Sequence, residues 1–230
     1  SKHLQNLKAK QAGKTVSVFQ DHKSQWHIDC KNTSALELTY EVYAFDNSVR
    51  TAWLDTQRGF FNGTSLCLQV LAHADQMCEL ELVKPHSNTR WHVETTLEAL
   101  KVDRRGFGIY QADNFDALID HPVAMGEFQT VQWQAHGVPH AMVIQGATNG
   151  VYKQQLAQDL KAICEAHIAF FEPVSKCAPF EQYKFMVNAV GDGYGGLEHR
   201  DSTVLLCKRD DLPYPQQSLT SHANYEDFLG

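Results

Sequence analysis

The sequence lacks any close cysteine pair. Its six cysteines, Cys30, Cys67, Cys78, Cys164, Cys177 and Cys207, are scattered through 230 residues. Without a Cys-x-x-Cys pair, zinc-ribbon and thioredoxin-type sites are excluded. Six dispersed cysteines are also too few for a disulfide scaffold, so free thiols in a reducing cytoplasm are expected. No apolar run approaches the roughly 20 residues that span a bilayer, so no membrane segment is expected. The opening residues Ser1 to Lys8 are too polar for a signal peptide. There is no block of Lys and Arg. With 20 basic against 27 acidic residues the formal charge is −7, which argues against a general nucleic-acid partner. The sequence is not short of apolar residues: they make up 43%, against 20% charged, the composition of a globular chain with a sizeable core.

Twelve histidines raise the question of a metal. His136 and His140 are spaced for one helix face, but Gly137 and Pro139 between them disfavour a helix. No His-Glu-x-x-His occurs. No metal ligands are therefore assigned in this chain, and ordinary exposed or hydrogen-bonded histidines are expected.

Alternation marks most of the first two thirds as strands. Leu36, Leu38, Tyr40, Val42 and Ala44 alternate with Glu37, Thr39 and Glu41, and Cys78, Leu80 and Leu82 alternate with Glu79 and Glu81. Thr15–Phe19, Trp91–Leu97, Phe128–Ala135 and His140–Gln145 read likewise, the last two joined through His136 to Pro139. Asn62-Gly63 reads as a tight turn. A short helix from a cap at Asp113 to Ile119 is predicted to stop at Pro122. These features predict an antiparallel β-sandwich over residues 1–146.

From residue 147 the pattern changes. Tyr152, Leu156, Leu160, Ile163, His167 or Ile168, and Phe170 or Phe171 recur in steps of three and four and predict an amphipathic helix over about 149–171, ended by Pro173. Gln182–Val190 and Ser202–Cys207 read as strands, and a last helix begins near Ser218 or Ser221. Residues 147–230 thus read as the opening of an α+β unit, and the fold class is mixed α+β.

Between those two strands lies a glycine-rich segment. Gly191, Gly193 and Gly196 satisfy Gly-x-Gly-x-x-Gly, but the helix a dinucleotide site requires does not follow. Taken alone, the segment reads as a flexible hairpin loop with solvated Glu198 and His199. Asp46, Arg50 and Asp55 read as a partly buried ion pair tying strand ends together. Tyr40, Tyr43, Trp53, Phe60 and Phe61 read as sandwich core, with a sugar platform as the alternative.

Several stretches, in order, resemble one family. Gly193-Tyr194-Gly195-Gly196-Leu197-Glu198-His199-Arg200-Asp201-Ser202-Thr203 is similar to the segment upstream of the zinc helix in the glycyl aminopeptidase family of gluzincin metallopeptidases. Tyr40–Arg50, Gly59–Thr64, Phe115–Gly126 and Gly137–His140 agree with the same family, so the resemblance runs over nearly the whole chain. It implies a β-sandwich followed by the beginning of a thermolysin-like catalytic domain, in an enzyme that removes N-terminal residues, glycine by preference, from peptides with a free N-terminus. It implies zinc as the cofactor of the complete enzyme. It also implies that the sequence stops at Phe228-Leu229-Gly230, short of the helix bearing His-Glu-x-x-His, and starts after the family's first strands. On that expectation the catalytic groups lie outside the chain, the chain alone is inactive, and its uncovered sheet edges self-associate.

By the same resemblance Glu198 binds the substrate ammonium, while Gly195 and Gly196 contact the peptide backbone. For His199 two roles stay open, lining the pocket or a structural contact. A different class of function, a β-sandwich binding or interaction module without catalysis, is the alternative. A His-Glu-x-x-His in the next stretch of the parent gene would separate them.

Overall fold

The computed structural model describes residues 3–86, 90–148, 150–215 and 219–229. The chain opens with β1 (Leu4–Gln11), β2 (Lys14–Val16), β3 (Val18–His22), β4 (Gln25–Ile28) and β5 (Leu36–Val42). Strand β1 pairs antiparallel with both β2 and β5, and β3 with β4 forms a separate hairpin. The stretch read as one strand at Thr15–Phe19 is thus divided between β2 and β3.

Next come β6 (Ala52–Leu54), β7 (Arg58–Phe61), helix α1 (Gly63–Leu66), β8 (Cys78–Leu82), β9 (His92–Glu94), β10 (Glu98–Val102), β11 (Gly108–Ala112), helix α2 (Phe115–Ile119) and β12 (Val123–Gly126). They build two antiparallel sheets, β10-β11-β8 and β6-β7-β12-β9. Phe61, Trp91, Val93, Phe107, Tyr110 and Val123 fill the core here. Asn62-Gly63 is not a tight turn. Asn62 caps α1, its Oδ1 accepting from the Thr64 backbone N–H at 3.1 Å, and Gly63 is the first helical residue. Asn114, rather than Asp113, caps α2 by accepting from the Ala117 N–H. Both follow from short polar side chains satisfying orphan amides of a first turn.

The last part holds β13 (Gln129–Ala135), β14 (Val138–Gln145), helix α3 (Lys153–Phe171), β15 (Tyr183–Val190), β16 (Gly195–Glu198), β17 (Ser202–Lys208) and helix α4 (Leu219–Leu229). The two-residue turn His136-Gly137, with φ of +46° and +83°, joins β13 to β14 and fixes their register. One sheet results, ordered β13-β14-β15-β17-β16. Its inner pairs β14-β15 and β15-β17 are parallel, and α3 supplies the crossover a parallel pair needs. Leu156, Leu160, Cys164 and Ile168 form the buried stripe of α3, facing Trp133, Met142 and Ile144. Phe170 and Phe171 are instead exposed, 77% and 72%.

Strands on both sides of residue 147 share this sheet. A further cluster of Val49, Phe60 and Ala124 with Val143, Met186 and Val204 packs the earlier sheets against it. The described residues are mostly β, in several sheets with few helices. All six cysteines are free thiols, and no helix among the described residues is long and apolar enough to cross a membrane.

Candidate functional site

The glycine-rich segment is ordered as the edge of the five-stranded sheet. The expected hairpin loop is in fact β16, paired antiparallel to β17 in the register Gly195↔Leu206, Gly196↔Leu205, Leu197↔Val204 and Glu198↔Thr203. Glycine's poor strand propensity concealed it, and the β-branched and apolar strand alongside imposes it. Gly193 makes the reversal. Its φ is +156°, and a Cβ there would sit 3.0 Å from Val190 Cγ2 and 3.1 Å from Leu206 Cδ2. At Gly195 a Cβ would meet nothing within 4 Å, and at Gly196 only Leu205 Cδ2, at 3.4 Å. As the last strand in the sheet order, β16 has a partner strand on one side alone among the described residues.

Glu198 stands exposed at the end of this strand. The next residue turns the other way. The His199 side chain is 5% exposed, with its Nδ1 3.2 Å from Asp120 Oδ1 and its backbone N–H donating to Ser202 O at 2.8 Å. His199 Nε2 is buried without a hydrogen-bond partner. Arg200 Nε lies 3.2 Å from Asp120 Oδ2. A cavity of about 680 Å³ opens here, lined by Glu198, His199, Asp116, Asp120, Arg50 and Arg200 among others. Three carboxylates thus share its wall with two guanidinium groups.

Behind it runs a polar seam that the sequence did not announce. Thr96 Oγ1 donates to Asp201 Oδ1 at 2.7 Å, and His121 Nε2 lies 3.5 Å from Asp201 Oδ2. Burial alone would lower the His121 pKa. The hydrogen bonds to Asp201 and to the Ala117 carbonyl, with the charges of Asp201 and Asp120, outweigh it and hold the imidazole above its ordinary value. Burial likewise pushes Asp201 up, but the hydrogen bonds from His121 and Thr96 bring it below the usual carboxylate range. Lys184 Nζ completes the seam, donating to Glu94 Oε2 at 2.7 Å and Thr95 O at 3.0 Å. The clue available in sequence was the pair Asp120-His121 directly after a capped helix. Nothing local named their partners.

Other expected groups fall elsewhere. No ion pair among the described residues involves Asp46, Arg50 or Asp55. Asp55 instead organises a turn, accepting from the backbone N–H groups of Gln57 and Arg58 and from Trp53 Nε1. Phe60 and Phe61 are core, whereas Tyr43 is 55% exposed. For zinc the donor set does not fit: no group of three or more His, Cys, Asp or Glu among the described residues could hold a metal.

Residues 1–127 match the family described as the Peptidase M61 N-terminal domain. The chain belongs to that family. The M61 chain also superposes on the crystal structure of an aminopeptidase N family protein from Idiomarina loihiensis, with a TM-score of 0.91 and 40% identity over 99% of its own length. It spans 38% of the length of that protein. A mutant of a two-domain M1 zinc metallopeptidase, bound to L-arginine, aligns with a TM-score of 0.49 and 10% identity over 89% of this chain and 51% of that one. No curated protein matches the M61 chain.

Proposed function

We propose that the M61 chain is part of a zinc metallo-aminopeptidase, and that β16 is the strand on which a peptide is held by its free N-terminus. The observation that carries this is the pairing of an open sheet edge with a carboxylate at its end. An extended peptide can add to the free side of β16, where Gly195 and Gly196 leave room for its backbone. Glu198 then meets the terminal ammonium through a charge-assisted hydrogen bond, which measures one residue from the peptide's end. Asp116 shares the cavity wall, while Asp120 is already matched by His199 and Arg200, which leaves Glu198 as the carboxylate for the ammonium. His199 serves as a buried tie to Asp120 that fixes the end of β16.

On this reading the opening of the catalytic domain, expected from residue 147, begins instead at about 128, because β13 and β14 belong to the five-stranded sheet of the later strands. On the same reading zinc and its catalytic partners are supplied by the remainder of the longer enzyme, and the isolated chain is inactive. Preference for glycine rests on the family resemblance alone.

The experiment is Glu198→Gln in the complete enzyme. Loss of one charge-assisted hydrogen bond lowers kcat/KM on unblocked peptides roughly tenfold to a hundredfold, with zinc content unchanged. A parent enzyme equally active on blocked and free N-termini would sink the role of Glu198.

A further inference from the structure

A second cavity lies apart from β16, at the carboxyl ends of the parallel strands. Its volume is about 720 Å³, the size of a small-molecule site rather than of a lone ion. Gln145 and Gly146 reach it from the end of β14, Asn188 to Val190 from the end of β15, and Arg209 follows β17. The β6–β7 hairpin closes it with Trp53, Asp55 and Arg58. Clefts outside the carboxyl ends of parallel strands are where open α/β sheets commonly bind ligands.

Two guanidinium groups are fixed in this wall without a carboxylate partner. Arg58 lies over the Trp53 ring, 5.1 Å from its centre, and donates through Nη2 to Asn47 Oδ1. Asn47 Oδ1 also accepts from Asn188 Nδ2 at 2.9 Å, which anchors Arg58 to β15. Arg209 is held by Nε, which donates to Gly146 O at 2.7 Å. Neither arginine forms an ion pair among the described residues. Asp55 is near Arg58, but both its oxygens are spent on the Gln57 and Arg58 backbone N–H groups and on Trp53. Burial, only partly offset by the Asp55 charge, brings the Arg58 pKa down to about 10. A bound anion would repay that desolvation. The acid at the rim, Glu127, is 3.3 Å from Arg90 and so already matched.

We infer that this cavity is a binding site for a small oxyanion-bearing molecule, a carboxylate or a phosphate ester, clamped between Arg58 and Arg209. Planar guanidinium forks match the two oxygens of either group, and stacking on Trp53 sets the plane of one fork in advance. The amide of Asn188, at the end of β15, supplies a neutral donor beside them. The site shares no lining residue with the cavity at the β16 edge.

Calorimetric titration of the full chain with succinate and with inorganic phosphate, at constant ionic strength in chloride, tests the inference. One saturable site is expected for at least one anion, and which of the two binds more tightly tells carboxylate from phosphate. Arg209→Gln is expected to weaken it about tenfold or more, as is Arg58→Gln. Lys14→Gln, at an exposed cation on β2 outside both cavities, should leave it unchanged. Because Arg58 also packs on Trp53, its variant tests folding as well as binding, and Arg209→Gln decides. Absence of saturation with both anions, unchanged affinity in Arg209→Gln, or equal weakening in Lys14→Gln overturns the proposal.

Discussion

His199 Nδ1 and Asp120 Oδ1 meet at 3.2 Å across 79 residues of sequence, joining the end of the β16 edge to the end of α2. The contact ties the strand that carries Glu198 to the preceding β region. With a side chain only 5% exposed, His199 cannot give up this partner to water. Asp120→Ala should therefore cost about 1–3 kcal/mol, the penalty of leaving a buried polar group unsatisfied. Urea unfolding of the variant measures it, and an unchanged midpoint would remove the contact from the forces holding the seam.

The neighbouring pair His121–Asp201 makes stability depend on pH with a definite sign. The folded-state pKa of His121 is raised, so its contribution is complete below the unfolded value of about 6.5 and is lost as pH rises through the folded value. That of Asp201 is lowered, so its contribution is present above about 3.9 and is lost as pH falls through the folded value. The pair is worth most between about pH 4 and 6.5. His140 opposes it. Stacked 5.7 Å from Trp133, it is lowered by burial despite its Nδ1 hydrogen bond to the Val138 carbonyl, and the stability it brings is lost as pH falls below about 6.5. In His121→Asn the loss of stability relative to the unaltered chain should be larger at about pH 5.5 than at about pH 8.5. A loss that grows with pH would contradict the assigned direction.

Two glycines separate local from tertiary constraint. A Cβ at Gly63 would lie 2.8 Å from Ile119 Cα, a backbone atom that cannot step aside. A Cβ at Gly195 would meet nothing within 4 Å. Gly63→Ala is expected to destabilise by about 1–3 kcal/mol, the cost of overpacking. Gly195→Ala should stay within about 0.5 kcal/mol, as surface changes do. Thermal melts of the two variants side by side check this, and equal losses would show that space around the backbone does not decide.

The same contrast explains what the sequence made legible. Alternation located β5 and β8 because their faces differ in burial residue by residue, and steps of three and four located α3 because one stripe of it is buried. At its C-terminal end the pattern misled, since Phe170 and Phe171 are apolar yet exposed. Asn62-Gly63 carries the local chemistry of a turn, and only the approach of Ile119 explains a glycine at the start of α1. Strand β16 has almost no propensity of its own and takes its form from β17. Gly195, Gly196 and Glu198 lie together on β16 simply because they are neighbours in sequence. Asp120, His121, Thr96 and Asp201 meet only through long-range folding, which no local spacing encodes. For the cavity of Arg58 and Arg209 the case is the same.

Lys184 and Glu94 close the seam from the other side, 90 residues apart, with side chains 15% and 24% exposed. Neither is fully buried, so their attraction is partly screened, but each has lost most of its water. Removing one strands the other. Lys184→Met leaves Glu94 without its cation and the Thr95 carbonyl without its donor, and Glu94→Gln leaves Lys184 with a weaker acceptor. Each single change should cost about 1–3 kcal/mol. The double variant should cost clearly less than the sum, because its second change removes a charge already unpaired. A double-mutant cycle by chemical denaturation measures the coupling. Strict additivity would mean that the pair does not couple β9 to β15, and that the apolar cluster of Phe60, Ala124, Val143 and Met186 holds the seam alone.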